Sequence, residues 1–172
     1  PTPSPPEEPD TPDDEGDQTA TEGLQPNPPT WGPNVHIYHP GHGDYSKIQE
    51  SCMNNGRCGG LNENGHWSEK RYAFMFAPGE HHVDVPVGYY VSVYGLGAKP
   101  SDTVFTSEKG VYSEQANGET FTLGALDTFW RSAENFRNKA WWKTMGTGML
   151  WATSQASPLR RVEVDHDLVL AQ

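Results

Sequence analysis

Three histidines at regular spacing, His36-x-x-His39-x-x-His42, with Asp44 just beyond, are the first residues whose types could do chemistry, since imidazole and carboxylate are metal donors. Pro40, Gly41 and Gly43 break that segment into a loop, and a structural zinc takes four ordered ligands, so no metal is expected there. Cys52 and Cys58 bracket a short, turn-rich Met-Asn-Asn-Gly-Arg loop. In a chain of extracellular character an even pair reads as a disulfide, with two free thiols as the alternative. Asp127, Glu134, Glu163, Asp165 and Asp167 could supply an acid and a base. The sequence places no two of them across a substrate. Glu134 follows Trp130-Arg131 and reads as a structural ion pair at a corner rather than as a catalytic group. Gly95-Leu-Gly97 is too short for a phosphate-binding loop and no helix follows it, so no nucleotide cofactor is expected. His81-His82 lies in a turn and reads as a solvent-facing pair.

These groups must be positioned by a folded body that begins near Trp31. Residues 1–30 hold nine of the 15 prolines and eight of the 23 acidic residues, with no Lys or Arg. Such a segment has too little apolar surface to offset the cost of ordering, and it reads as a disordered Pro-rich acidic linker. Most of the net charge of −11 therefore belongs to the tail, not to a folded surface. No basic run is present, so nucleic acid is not an expected partner, and no stretch nears the roughly 18 apolar residues of a membrane span. The chain starts at Pro with no apolar signal region, as a processed or excised end would.

All six Trp and all six Phe fall in residues 31–172. Val35-His-Ile-Tyr38 alternates like a strand, residues 45–53 suit two helical turns, and Asn54-Asn-Gly56 is a stop signal. Tyr72-Ala-Phe-Met-Phe76, Val83-Asp-Val85 and Tyr89-Tyr-Val-Ser-Val-Tyr94 read as further strands, with Ala77-Pro-Gly79 as a turn. Strand-like pieces near Val91, Val111, Asn135 and Val162 recur at spacings of about 20–27 residues, within the range of repeat periods. A sandwich has no fixed period. The expected fold is all-β, a right-handed parallel β-helix of which residues 31–172 are the opening coils. The strand-like run from Asp167 to Gln172 leaves an open end that a neighbour or cap must cover.

Four blocks carry a resemblance. Arg71-Tyr-Ala-Phe-Met-Phe-Ala-Pro-Gly79, Val85-Pro-Val-Gly-Tyr-Tyr-Val-Ser-Val-Tyr-Gly-Leu-Gly-Ala98, Ala125-Leu-Asp-Thr-Phe-Trp-Arg-Ser-Ala-Glu-Asn135 and Leu150-Trp-Ala-Thr-Ser-Gln-Ala-Ser-Pro-Leu-Arg-Arg-Val162 stand in collinear order. Together they resemble the N-terminal half of glycoside hydrolase family 55, exo-acting β-1,3-glucanases of the pectate-lyase-like superfamily. The resemblance implies a secreted protein of two tandem β-helices that hydrolyses laminarin-type glucan with inversion. Its acid would be a Glu in the second half, beyond these residues.

On that resemblance Gln155 is the catalytic candidate, a Gln facing the cleft and orienting the attacking water, since an amide can hold water without acting as the base. The other reading of Gln155 is a ladder or turn contact within a coil. Thr153 and Ser157 stand where other small residues are expected. Sugar rings stack on aromatic faces, and Trp141-Trp142, flanked by Arg137, Lys139 and Lys143, is the substrate-binding candidate. A loop anchor folded onto the body is its alternative. Trp130 and Trp151 lie in strand-like runs and read as core. The partners implied are a β-glucan polysaccharide and a C-terminal remainder, or another chain, completing the β-helix. A non-catalytic β-helix that builds an extracellular assembly or binds polysaccharide is the competing reading.

Overall fold

A computed structural model describes residues 30–51, 69–113 and 128–171. The tail up to residue 29, the Cys52 and Cys58 pair, Trp67 and Asp127 lie outside the described residues. The described elements are β1 (Val35–Tyr38), the short helix α1 (Ser46–Ser51), β2 (Tyr72–Phe76), β3 (Gly79–His81), β4 (Val85–Pro86), β5 (Val91–Gly95), β6 (Thr103–Phe105), β7 (Val111–Tyr112), β8 (Ser132–Asn138), β9 (Met149–Ala152), β10 (Leu159–Val164) and β11 (Leu168–Ala171).

Every pairing between these strands is parallel. Parallel neighbours cannot be joined by a hairpin, so the chain must travel before it can pair with itself. Here it does so through other strands. β2, β3 and β4 form one pass of the chain and stack under β5, β6 and β7 of the next. The long β8 then serves two stacks at once: Ser132 to Glu134 pair with β5, while Arg137 and Asn138 pair with β6. β10 continues that stack on β8, and β11 continues a third on β9, which a single bridge from Ser113 to Trp151 ties to the strands before it.

Side chains sort by strand period. In β5, Val91 and Val93 point inward and Ser92 and Tyr94 outward, as alternation requires. In β8 the alternation fails at Asn135, where φ is 63°, so Phe136 is buried directly after it. That left-handed residue is the corner between the two stacks. Arg161, with φ of 51°, sits opposite it in β10. The Asn135 amide Nδ2 donates to the carbonyls of Gly95 and Gly97, each at 2.8 Å, which fixes the corner to the pass below. Inside, one aromatic column runs across passes: Phe105 meets Phe76 edge-on at 4.8 Å and Phe136 at 5.3 Å.

The structure departs from the sequence reading at definite points. Val91 and Val111 lie in different stacks, paired with Tyr72 and Val85 respectively, so the apparent repeat mixed two faces of one pass. β3 and β6 are too short to show a pattern of their own. Trp151 is buried as expected, whereas Trp130 is 42% exposed.

His81 also differs, for it is buried while His82 is exposed. Its Nε2–H donates to the Ala77 carbonyl at 2.8 Å, its ring stands edge-on to Phe76, and its Nδ1 is buried without a partner. Burial pushes this imidazole below its ordinary pKa, with His39 adding to the shift and the Ala77 hydrogen bond opposing it. In the unfolded chain the ring takes up its proton near pH 6.5, whereas the folded protein resists it until lower pH. Stability is thus unaffected by His81 above about pH 7 and is lost as pH falls from about 6.5 toward the lowered folded value. His81→Phe should flatten the fall in melting temperature between pH 7 and pH 5. A slope equal to wild type would show that His81 does not carry it.

Candidate functional site

The first stack opens on its outer side into a hollow of about 350 Å³ lined by Asn34, Arg71, Tyr72, Tyr90, Ser92 and Trp130 among others. Its geometry begins with the backbone. Just before β5 and β8 the chain turns through Tyr90 and Trp130, with φ of 58° and 48°, and Ala156 before β10 repeats this at 50°. These corners stack by hydrogen bonds: Tyr72 N–H donates to the Tyr90 carbonyl at 3.1 Å, Tyr90 N–H to Trp130 at 2.7 Å, and Trp130 N–H to Gln155 at 3.3 Å. Tyr72, Tyr90, Trp130 and Gln155 are therefore successive rungs of one column.

Each aromatic corner is a pair of rings. Tyr89 is buried and Tyr90 faces out; Phe129 is half-buried and Trp130 faces out. The Tyr90 and Trp130 rings lie nearly parallel, 12° apart with centroids at 5.5 Å, and the Arg71 guanidinium carbon lies 3.2 Å from the Tyr90 centroid. A guanidinium on an aromatic face gains both cation–π attraction and planar stacking. Beside these rings, Ser132 Oγ donates to Ser92 Oγ at 2.9 Å on the outward row of β5 and β8. Arg131, between Trp130 and β8, points the other way. It is buried, and its Nη1 donates to the Val87 carbonyl at 2.7 Å and to Ser113 Oγ at 3.1 Å, tying adjacent passes together.

Gln155 is exposed. Its carbonyl accepts from Trp130 N–H and, at 2.9 Å, from the Ser157 hydroxyl, while its side-chain amide hydrogen-bonds to no described residue. The hydrogen bonds at this residue are thus made by its backbone carbonyl. Ser157 also donates to the Thr128 carbonyl, and its own carbonyl accepts from the Trp151 indole N–H, so its place in the string is structural.

The tryptophan pair divides. Trp141 is 42% exposed, its ring edge-on to His166 at 5.0 Å. Trp142 is buried, edge-on to Tyr112 at 5.1 Å with the Lys109 ammonium 4.5 Å from its ring, so of the two Trp141 exposes more of its indole.

Of the candidate carboxylates among the described residues, Glu134 and Asp165 are in ion pairs. Glu134 pairs with Arg160 at 3.1 Å across β8 and β10 and not with Arg131. Asp165 accepts from Arg137 at 2.6 and 3.1 Å, and this guanidinium holds its carboxyl below the usual range, which unfits it as a proton donor. Glu163 and His166 line a shallower depression beside that pair, and Asp167 is exposed. His36, His39, His42 and Asp44 do not gather; among the described residues no three His, Cys, Asp or Glu side chains group to hold a metal.

The hollow was missed because Trp130 reads as a strand residue. A signal was present: an aromatic pair precedes an alternating strand twice, in Tyr89-Tyr90-Val-Ser-Val and Phe129-Trp130-Arg-Ser-Ala. At a left-handed corner the first ring turns in and the second out.

No family model matches the chain. It is 36% identical over 142 residues to an exo-β-1,3-glucanase of Streptomyces sp. strain SirexAA-E / ActE, covering 81% of this chain and 21% of that protein. Among solved structures it resembles sacteLam55A from Streptomyces sp. SirexAA-E, at TM-score 0.62 and 35% identity over 81% of this chain and 23% of that one. A variant of sacteLam55A in complex with glucose matches at TM-score 0.64 and 34% identity, over 84% of this chain and 24% of that one. The chain thus spans less than a quarter of the relatives it matches. Within that span, the resemblance to glycoside hydrolase family 55 carried by the four sequence blocks holds in both sequence and fold.

Proposed function

We propose that this chain forms the opening coils of a right-handed parallel β-helix in a secreted β-1,3-glucan hydrolase, supplying scaffold and one side of a glucan-binding cleft. The observation that carries the reading is the 36% identity over 81% of the chain to an exo-β-1,3-glucanase. The parallel stacking of successive passes supports the β-helix, since strands returning to the same registers build a continuous column. In this reading Gln155 orients the attacking water, Trp141 stacks on sugar, and the general acid comes from polypeptide beyond these residues. Cys52 and Cys58 pair as a disulfide in this reading. No cofactor is required, because inverting hydrolysis needs only an acid, a base and a held water.

The reaction sets its own geometry. One carboxylic acid protonates the leaving oxygen while a base takes a proton from the water that attacks the opposite face, and inversion follows because no covalent sugar intermediate forms. The complete protein carrying this chain should therefore release sugar from laminarin-type oligosaccharides with the α-anomer formed first. Proton NMR of early product checks this. Release of the β-anomer would refute inversion, and no turnover on any β-glucan would favour a structural or polysaccharide-binding β-helix instead.

A further inference from the structure

We propose that Ser157 is a positioning residue for Gln155, its hydroxyl fixing the backbone from which that side chain reaches the attacking water. The proposal rests on the water-holding reading of Gln155 above and adds a group that acts only through it. Three observations carry it.

The first is what holds Gln155. Its side chain is exposed and its amide hydrogen-bonds to no described residue, so the direction of the Cα–Cβ bond decides where the amide starts. That direction is set by the backbone, and the Gln155 carbonyl has two donors, Trp130 N–H at 3.3 Å and the Ser157 hydroxyl at 2.9 Å. The hydroxyl is the closer of the two. It has one proton and a second acceptor within reach, the Thr128 carbonyl at 3.3 Å. That carbonyl already accepts from Ser154 N–H at 3.0 Å, so the proton serves Gln155.

The second is the turn that the hydroxyl closes. Ala156, between the two residues, has φ of 50°, a conformation that a residue with a Cβ keeps only where its surroundings impose it. The bond from Ser157 back to Gln155 spans this residue, so one contact both fixes the carbonyl and holds the turn.

The third is that Ser157 is itself anchored. The indole N–H of Trp151, a buried residue, donates to its carbonyl at 3.2 Å. Pro158 confines the residue before it to extended backbone, and the Pro158 carbonyl accepts from Ala133 N–H at 3.1 Å. Ser157 is thus a fixed point tied to the core, and Gln155 hangs from it. Loosening that tie misplaces the amide and the water it holds, which acts on the barrier and spares the contacts that bind sugar elsewhere.

The test uses the complete protein with laminaritriose as probe, following hydrolysis by initial rates and binding by calorimetry. Ser157→Ala should lower kcat about tenfold, the equivalent of one hydrogen bond, and leave KM and affinity within about twofold of wild type. Ser157→Thr, which keeps the hydroxyl, should restore most of the rate. Gln155→Ala with Ser157→Ala should turn over no more slowly than Gln155→Ala alone, because a group that acts through Gln155 has nothing left to position. Wild-type kcat in Ser157→Ala beside a slow Gln155→Ala overturns the proposal and leaves the Gln155 reading intact. Losses that multiply in the double variant overturn it as well, since Ser157 then acts independently. A Ser157→Ala protein that does not fold, or a Ser157→Thr protein no faster than Ser157→Ala, also overturns it, the residue being then a support of the fold alone. Full activity in Gln155→Ala removes the water-holding reading and this proposal with it.

Discussion

Gln155→Ala in the complete protein should lower turnover of laminarin-type oligosaccharides by about 10²-fold, comparable to removing one polar group that serves the transition state. Binding of the same oligosaccharide should change little. The asymmetry follows from where the group acts. An amide that holds the attacking water contributes at the barrier and not in the ground-state complex, so its loss appears in kcat. The local structure is suited to this task. Trp130 N–H and the Ser157 hydroxyl pin the Gln155 carbonyl, so the backbone is fixed while the exposed amide can present both a donor and an acceptor to water. Trp141→Ala should behave in the opposite way, raising KM and sparing kcat, because a stacking ring holds substrate and transition state alike. Initial rates for the two variants separate these roles. Full activity in Gln155→Ala would reduce its side chain to part of a turn.

The parts of this site differ in how legible they were. Val91, Val93, Phe74 and Phe76 announce themselves by alternation, and all four are buried. Collinear motif blocks led to Gln155. Trp130 escaped because its direction is set by a left-handed φ, and alternation assumes that every residue stays in the β region. The same assumption fails at Asn135, where two successive inward residues look like noise in a strand pattern until the corner is seen. Glu134 was rightly read as an ion pair, yet its partner Arg160 lies across β8 and β10, and only the register identifies it. Spacing also misled, since a pass containing three strands yields several apparent periods, and Val91 and Val111 belong to different stacks. Local pattern thus reports which residues are inside. Which strand lies above which is a property of the corners.

Those corners are also where the fold should be most sensitive to a small change. Gly95→Ala should destabilise the complete protein by about 3 kcal/mol, at the upper end of the cost of forcing an extra group into a packed interior. Gly95 ends β5 under the Asn135 corner, and a Cβ there would run into the Asn135 carbonyl oxygen and meet Thr103 Cβ at 3.1 Å. Neither neighbour can yield cheaply. Asn135 is tied by its amide to the carbonyls of Gly95 and Gly97, and its left-handed backbone has few alternatives. Thr103 is buried in β6, with its hydroxyl directed at the Phe76 carbonyl. The obstacle is space and not the conformation of Gly95 itself, so any residue larger than Gly meets it. In a protein several times the length of this chain the melting temperature should drop by about 2–5 °C. Gly32→Ala supplies the control, because nothing lies within 4 Å of its added methyl, and it should stay within about 0.5 kcal/mol of wild type. Equal melting of Gly95→Ala and Gly32→Ala would mean that Asn135 does not close over Gly95, and the stacked corners that set Trp130 beside Gln155 would need a different arrangement.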